Sequence, residues 1–367
     1  MKPLGHDRVI AVLRDPRQLA TLDLREWDVL IRQGRSADLL ARIAGLADEG
    51  GLLEHIPAAP RAHLESARIL ARAQHAEVRR EVAHVCRAVA SLGVPVVLLK
   101  GAAYLLGRLP AALGRTFSDV DILVPRSRLA EVEAALMLGG WATTHHDPYD
   151  QRYYRQWMHE LPPLQHIRRQ TVLDVHHAIL PDTARLKPDS QRLLDAAQPL
   201  PGASSGSPLR VLAPADMVLH SMTHLFHNEE MSRGLRDLSD LDRLLRHFDT
   251  LPGFWGQLVA RSAELGLARP LYYGLHQAHA ILGTPVPAEA LAAAGRAGPG
   301  PALSVWMNGI WSRALRSPHS SAGDRWVPAT LFMLYVRAHW LRMPPGLLLR
   351  HLTIKAMRRR DAGAART

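Results

Sequence analysis

Arg115-Thr-Phe-Ser-Asp-Val-Asp-Ile-Leu-Val124 is the stretch on which the reading of the fold turns. Asp119 to Val124 alternates in character and stops at Pro125, as a strand with one buried face does. On such a strand Asp119 and Asp121 project from the same face, whereas Val120, Ile122 and Val124 turn to the core. Two carboxylates crowded at a strand's solvent face repel each other unless a cation lies between them. An oxygen-preferring divalent ion, Mg²⁺ or Mn²⁺, resolves that repulsion and can bridge phosphates.

Upstream, Val94-Pro-Val-Val-Leu-Leu99 is an apolar run between Gly93 and Gly101, the pattern of a buried strand, and Ala102 to Gly107 suits a helix that opens at Gly101. Downstream, Ser127 is a candidate N-cap for a helix whose Leu129, Val132 and Leu136 share a face before Gly139-Gly140 stops it. Pro162 to Ile167 and Thr171 to Ile179, separated by Arg168-Arg-Gln170, read as a hairpin. In Val172-Leu-Asp-Val-His176, Asp174 shares a face with Val172 and His176. An acid in the middle of an apolar strand serves packing poorly, which makes Asp174 the candidate third carboxylate.

Residues 1–92 read as helical, with Leu64, Ile69, Leu70, Val78, Val82, Val85 and Val89 marking one long helix that ends near Gly93. Pro199 to Pro208 is turn-rich and is expected to close an α/β unit over 93–198. Residues 209–350 again read as helical, and 351–367 as a basic tail. The expected fold class is α+β, a mixed sheet with helical regions before and after it.

With 47% hydrophobic and 22% charged residues, the composition is that of a globular chain. The net charge of +11 makes polyanions plausible partners: nucleotide phosphates, nucleic acid or an anionic membrane surface. One cysteine, Cys86, excludes an intramolecular disulfide and any site built on several thiolates. The N-terminus lacks the apolar run of a signal peptide, and Val327 to Val336 is too short to span a bilayer, so a cytoplasmic location is expected.

His220, His224 and His227 recur at helical spacing, which can bind zinc but equally suits packing or a pocket wall. The acids of Arg236-Asp-Leu-Ser-Asp240 suit helix capping or ion pairing, and this region is a candidate wall of an acceptor pocket. His145-His146-Asp147, a pair of residue types found in metal phosphohydrolases, precedes Pro148 and reads as a loop. The stretch from Trp340 to Arg360 mixes apolar and basic residues and could touch an anionic surface.

Taken together, Leu98-Leu-Lys-Gly-Ala-Ala103, Arg115 to Val124 and Leu173-Asp-Val-His176 resemble the polymerase-β-like nucleotidyltransferase superfamily, and more closely its bacterial family of uncharacterised nucleotidyltransferases. The resemblance implies that Asp119 and Asp121 hold two Mg²⁺ ions, and that Asp174 completes one site and accepts the proton of an attacking hydroxyl. It also implies that Gly101 holds the triphosphate through backbone N–H groups at a helix start, while Lys100 and Arg115 neutralise phosphate charge. Ser118, beside Asp119, joins Lys100, Gly101 and Arg115 as a candidate nucleotide-binding residue. The implied reaction is attack of an acceptor hydroxyl on the α-phosphate of an NTP with release of pyrophosphate. Ala102 stands where many superfamily members carry a serine. Two other readings are a non-catalytic nucleotide-binding or interaction protein that retains the fold, and a protein that binds nucleic acid or a membrane surface through its basic C-terminal half.

Overall fold

The computed structural model describes residues 7–145, 147–204, 206–344 and 346. Four helices come first: α1 (Arg8–Arg14), α2 (Leu24–Ser36), α3 (Leu40–Glu49) and α4 (Ala58–Val89). α2 starts on a reciprocal cap, in which Asp23 accepts from the backbone of Glu26 and Glu26 accepts from the backbone of Asp23. α4 is the long helix the sequence predicts, and Leu64, Val78, Val82, Val85 and Val89 are buried along it. Ile69 and Leu70, which also mark this helix in the sequence, are 67% and 56% exposed, because their spacing sets them off the stripe of Leu64, Val78, Val82, Val85 and Val89.

The sheet is built from β1 (Val96–Leu98), β2 (Val120–Leu123), β3 (Trp141–Thr143), β4 (Leu164–His166), β5 (Val172–His176), β6 (Gln198–Pro199) and β7 (Leu209–Val211). The strands lie in the order β3-β4-β5-β2-β1-β7-β6. β2 sits at the centre, parallel to β5 and antiparallel to β1. β4 and β5 form the expected antiparallel hairpin. The turn-rich residues after Pro199 connect β6 to β7, and β7 lies parallel to β1, so the sheet continues beyond them.

Between the strands run α5 (Lys100–Leu106), α6 (Leu129–Leu138), α7 (Pro148–Trp157) and α8 (Ser190–Asp195). α5 packs on β1 and β2, and α4 packs against α5 and α6. Ser127 does not cap α6: it lies in a short 3₁₀ turn, Arg126–Arg128, and the helix begins at Leu129 with no side-chain cap. Asp147 accepts from the Tyr149 backbone at 2.8 Å and so caps α7, which gives the His-Asp dipeptide a structural use. His146 lies outside the described residues.

The chain then turns helical through α9 (Pro214–His227), α10 (Gly234–Phe248), α11 (Phe254–Glu264), α12 (Ala268–Gln277), α13 (Ala288–Gly295), α14 (Pro301–Ala314) and α15 (Val327–Arg342). α9 is the hub, in contact with α10, α11, α12 and α15. Phe226 on α9 meets Trp311 edge to face and stacks on Tyr273, and all three are buried. The architecture is α+β, as the sequence predicts. Among the described residues no helix is long and apolar enough to cross a membrane. Of the basic C-terminal stretch, Trp340 to Arg342 close α15, and residues 347–367 lie outside the described residues.

Candidate active site

β1 and β2 run antiparallel, so the end of one meets the start of the other, and this junction holds the first part of the site. The Leu99 N–H donates to the Asp121 carbonyl at 3.0 Å, and the chain then turns into α5 at Lys100. Lys100 has φ +45, a left-handed conformation that costs a non-glycine residue about 1 kcal/mol. The turn delivers its ammonium to Asp121 Oδ1, 2.7 Å away.

Gly101 is required by a close approach. A Cβ there would lie 2.0 Å from Arg115 Nη1 and 2.7 Å from the Phe117 ring. Arg115 is buried, and its Nε donates to Asp240 Oδ2 at 2.8 Å on α10. The guanidinium therefore backs the glycine turn, with one nitrogen committed to Asp240, rather than reaching freely into solvent. Asp240 also faces Arg42 Nη2 of α3 at 2.7 Å, as an ion pair rather than a well-directed hydrogen bond. Arg42 further donates to Ala111 O, Leu113 O and Ser239 Oγ.

The acids come together through register. Asp121 and Asp174 are direct partners across the parallel β2–β5 pair, so both carboxylates leave the sheet on one face. The sequence suggests a solvent face, but Asp121 is only 5% exposed, because α9 covers this side of the sheet and brings His220 and His224 within range of Lys100 and Asp121. Asp119, just before β2, stands nearer the opening.

His176, two residues beyond Asp174, donates through Nε2 to Asp121 Oδ1 at 3.0 Å, and its Nδ1 lies 3.2 Å from Glu160 Oε2. Glu160 arrives through an isolated bridge to His176, and the His159 ring packs 5.2 Å from the His176 ring. Sequence reading did not single out His159 or Glu160, since a loop residue held by one bridge has no periodicity. His176 had a signal, its shared face with Asp174.

The electrostatics are uneven. Burial opposes ionisation of Asp121, but Lys100 and His176 outweigh it and hold its carboxyl well below the usual range. Asp119 is raised by burial and by Asp121. Asp174 is pushed up to about 8, first by burial and then by Asp121 and Glu160. Its Oδ1 is buried with no hydrogen-bond partner. Burial works against protonation of His176, yet Glu160 and Asp121 raise it. His220 is lowered to about 3 by burial, then Lys100 and His176, and burial also drops His224 well below its usual value.

Lys100, Asp119 and Asp121 form one wall of a 440 Å³ pocket whose other wall includes Asn228, Ser232, Arg233, Arg236 and Asp237. Asp174 sits behind Asp121 rather than on this wall. The Arg233 guanidinium donates to Ser118 Oγ at 3.0 Å, and Arg236 is tied to Asp38 and Asp237. Among the described residues, His159, Glu160 and His176 bring one potential metal-ligating atom each to within 4.8 Å of one another; His220, His224 and His227 do not form such a group. His227, two turns beyond His220 at the C-terminal end of α9, lies near Arg337 instead.

A glycine turn, paired strand acids and a pocket that carries a lysine and arginines beside those acids are what transfer of a nucleotidyl group needs, and they define the class. The chain belongs to the family described as "Uncharacterised nucleotidyltransferase", whose model matches residues 23–283, and it is a nucleotidyltransferase. No curated protein matches it. Two solved structures show a distant likeness. One is ANT(2")-Ia in complex with adenylyl-2"-tobramycin, 12% identical, covering 51% of this chain and 98% of that chain with a TM-score of 0.36. The other is the antibiotic-resistance factor ANT(2'')-Ia in solution, 14% identical, covering 56% and 98% with a TM-score of 0.35.

Proposed function

We propose that the chain moves a nucleoside monophosphate from an NTP to an acceptor hydroxyl, releasing pyrophosphate, with Mg²⁺ or Mn²⁺ held by Asp119, Asp121 and Asp174. The observation that carries this reading is the Asp121–Asp174 pair, in register, with Asp121 buried, Asp174 half-buried and Asp174 Oδ1 lacking a hydrogen-bond partner. Two carboxylates side by side with an unmet acceptor fit a hard divalent cation, although the oxygens of Asp119, Asp121 and Asp174 do not all lie within 4.8 Å of one another in the free chain. When bound, such an ion neutralises phosphate charge and aligns the α-phosphate.

The residues supply the rest. His176 and Lys100 hold Asp121 ionised and oriented. The N–H groups at the start of α5, at Gly101, would hold the triphosphate, and Arg233 and Lys100, which line the pocket, would offset its charge. The acceptor oxygen forms a bond to the α-phosphorus while the bond to the bridging α–β oxygen breaks. Pyrophosphate leaves with that electron pair, and the acceptor proton passes to the Asp174 carboxylate.

A titration of each of the four NTPs, with and without Mg²⁺, tests the site in wild type and in an Asp119→Asn, Asp121→Asn double variant. Metal-dependent binding lost in the variant is expected. Equal binding by both proteins overturns the assignment.

A further inference from the structure

We infer that the acceptor is a hydroxyl compound with an aryl or alkyl body, which lies in a second, mostly apolar cavity that opens into the nucleotide pocket. The inference rests on the nucleotidyltransferase reading above and names the substrate class of the same site.

The second cavity measures 1020 Å³ and shares Glu230 and Ser232 with the 440 Å³ pocket of Lys100, Asp119 and Asp121. Both residues belong to the segment between α9 and α10, and the Ser232 hydroxyl donates to Glu230 at 2.7 Å. They line both cavities, whose characters differ. The inner chamber is charged, whereas Met231, Pro328, Leu331, Phe332 and Tyr335 line the outer one. Phe332 is 66% exposed and Tyr335 43%, more aromatic surface than a lone pocket wall leaves open without use.

Charge decides against a polyanionic acceptor here. The three arginines of this cavity are engaged: Arg313 with Asp324 at 3.3 Å, Arg316 with the Ser312 and Ala322 carbonyls, and Arg325 over the Trp326 ring. A volume of this size, with its apolar residues set among polar ones, is the form of a small-molecule pocket. A ligand filling it would place a hydroxyl past Glu230 and Ser232, toward Asp121.

The probe is 4-phenyl-1-butanol, with glycerol as the hydroxyl compound lacking an apolar body. Pyrophosphate release and direct binding are measured for wild type and a Leu331→Asp, Phe332→Asp double variant. Both positions are partly exposed, so the variant is expected to fold, and retained Mg²⁺–NTP binding verifies it. At equal concentration the aryl alcohol should raise release at least tenfold over glycerol in wild type, and the variant should lose that preference. Equal response to the two alcohols, or a preference the variant keeps, overturns the inference while leaving bound NTP as support for the nucleotide site. A wild type that binds no NTP overturns the underlying reading instead. A wild-type dimer that the variant converts to monomer also overturns the inference, assigning the apolar face to a second copy.

Discussion

Two clusters of buried charge lie within this core, and they are built on opposite rules. Around Asp240 one carboxylate meets the guanidiniums of Arg42 and Arg115, and Arg42 spends its remaining N–H groups on two backbone carbonyls and a serine. Around Asp121 the acids outnumber the cations: Asp119, Asp121, Asp174 and Glu160 share Lys100 and His176, and one oxygen of Asp174 meets nothing. The first cluster ties α3, the Ala111–Arg115 turn and α10 into one frame. The second is a deficit of positive charge kept in place by that frame, which is what a cation-dependent site requires.

The contrast breaks most sharply under Asp121→Asn. If the deficit exists for catalysis, turnover measured as pyrophosphate release should fall about 10³-fold or more. A loss below about tenfold would place Asp121 among the structural acids. Asp240→Ala should act on stability instead, costing about 3 kcal/mol in urea unfolding because two buried guanidiniums lose their counter-charge. A cost under about 1 kcal/mol would mean that Arg42 and Arg115 find other partners, and that the frame does not depend on its acid.

Asp174→Asn sharpens the comparison through pH. Burial, then Asp121 and Glu160, push the Asp174 carboxyl up to about 8 in the folded chain from an ordinary value of 3.8. Its contribution to stability is complete below the ordinary value and is lost as pH rises through the folded one. In EDTA the variant should match wild type at acid pH and exceed it by about 2 kcal/mol at pH ~9, a figure discounted for counter-ions. Saturating Mg²⁺ should erase the difference. Equal melting curves across the pH range would remove the idea that the site stores repulsion.

How much of this the sequence revealed follows from its periodicities. A period of two placed Asp119 and Asp121 on one face and put Asp174 with His176, since strand geometry alone decides which side chains share a side. Burial of Asp121 was not legible, because the cover comes from α9, far along the chain. Asp240 was legible as a capping or ion-pairing acid, but its partner Arg42, far back in the chain, had no local signal, and Glu160 reaches His176 through one bridge. Apolar residues marked α4 as a helix, but Ile69 and Leu70 lie off the face of Val78 and Val82, so apolar character alone did not say which of them pack inward.

Arg233→Ala is the mildest test. Arg233 stands at the pocket rim, exposed, with Ser118 Oγ 3.0 Å from Nη1, so its removal leaves the frame untouched and melting unchanged. An exposed cation acts on a polyphosphate mainly through a screened field. NTP binding should therefore weaken about fivefold at low salt, and the gap should close to within about twofold near 0.5 M salt. A weakening near a hundredfold that salt does not diminish would require a desolvated contact. Arg233 would then belong with Lys100 and His176 among the few cations set against the acids, and the charge deficit that distinguishes the two clusters would be smaller than the free chain shows.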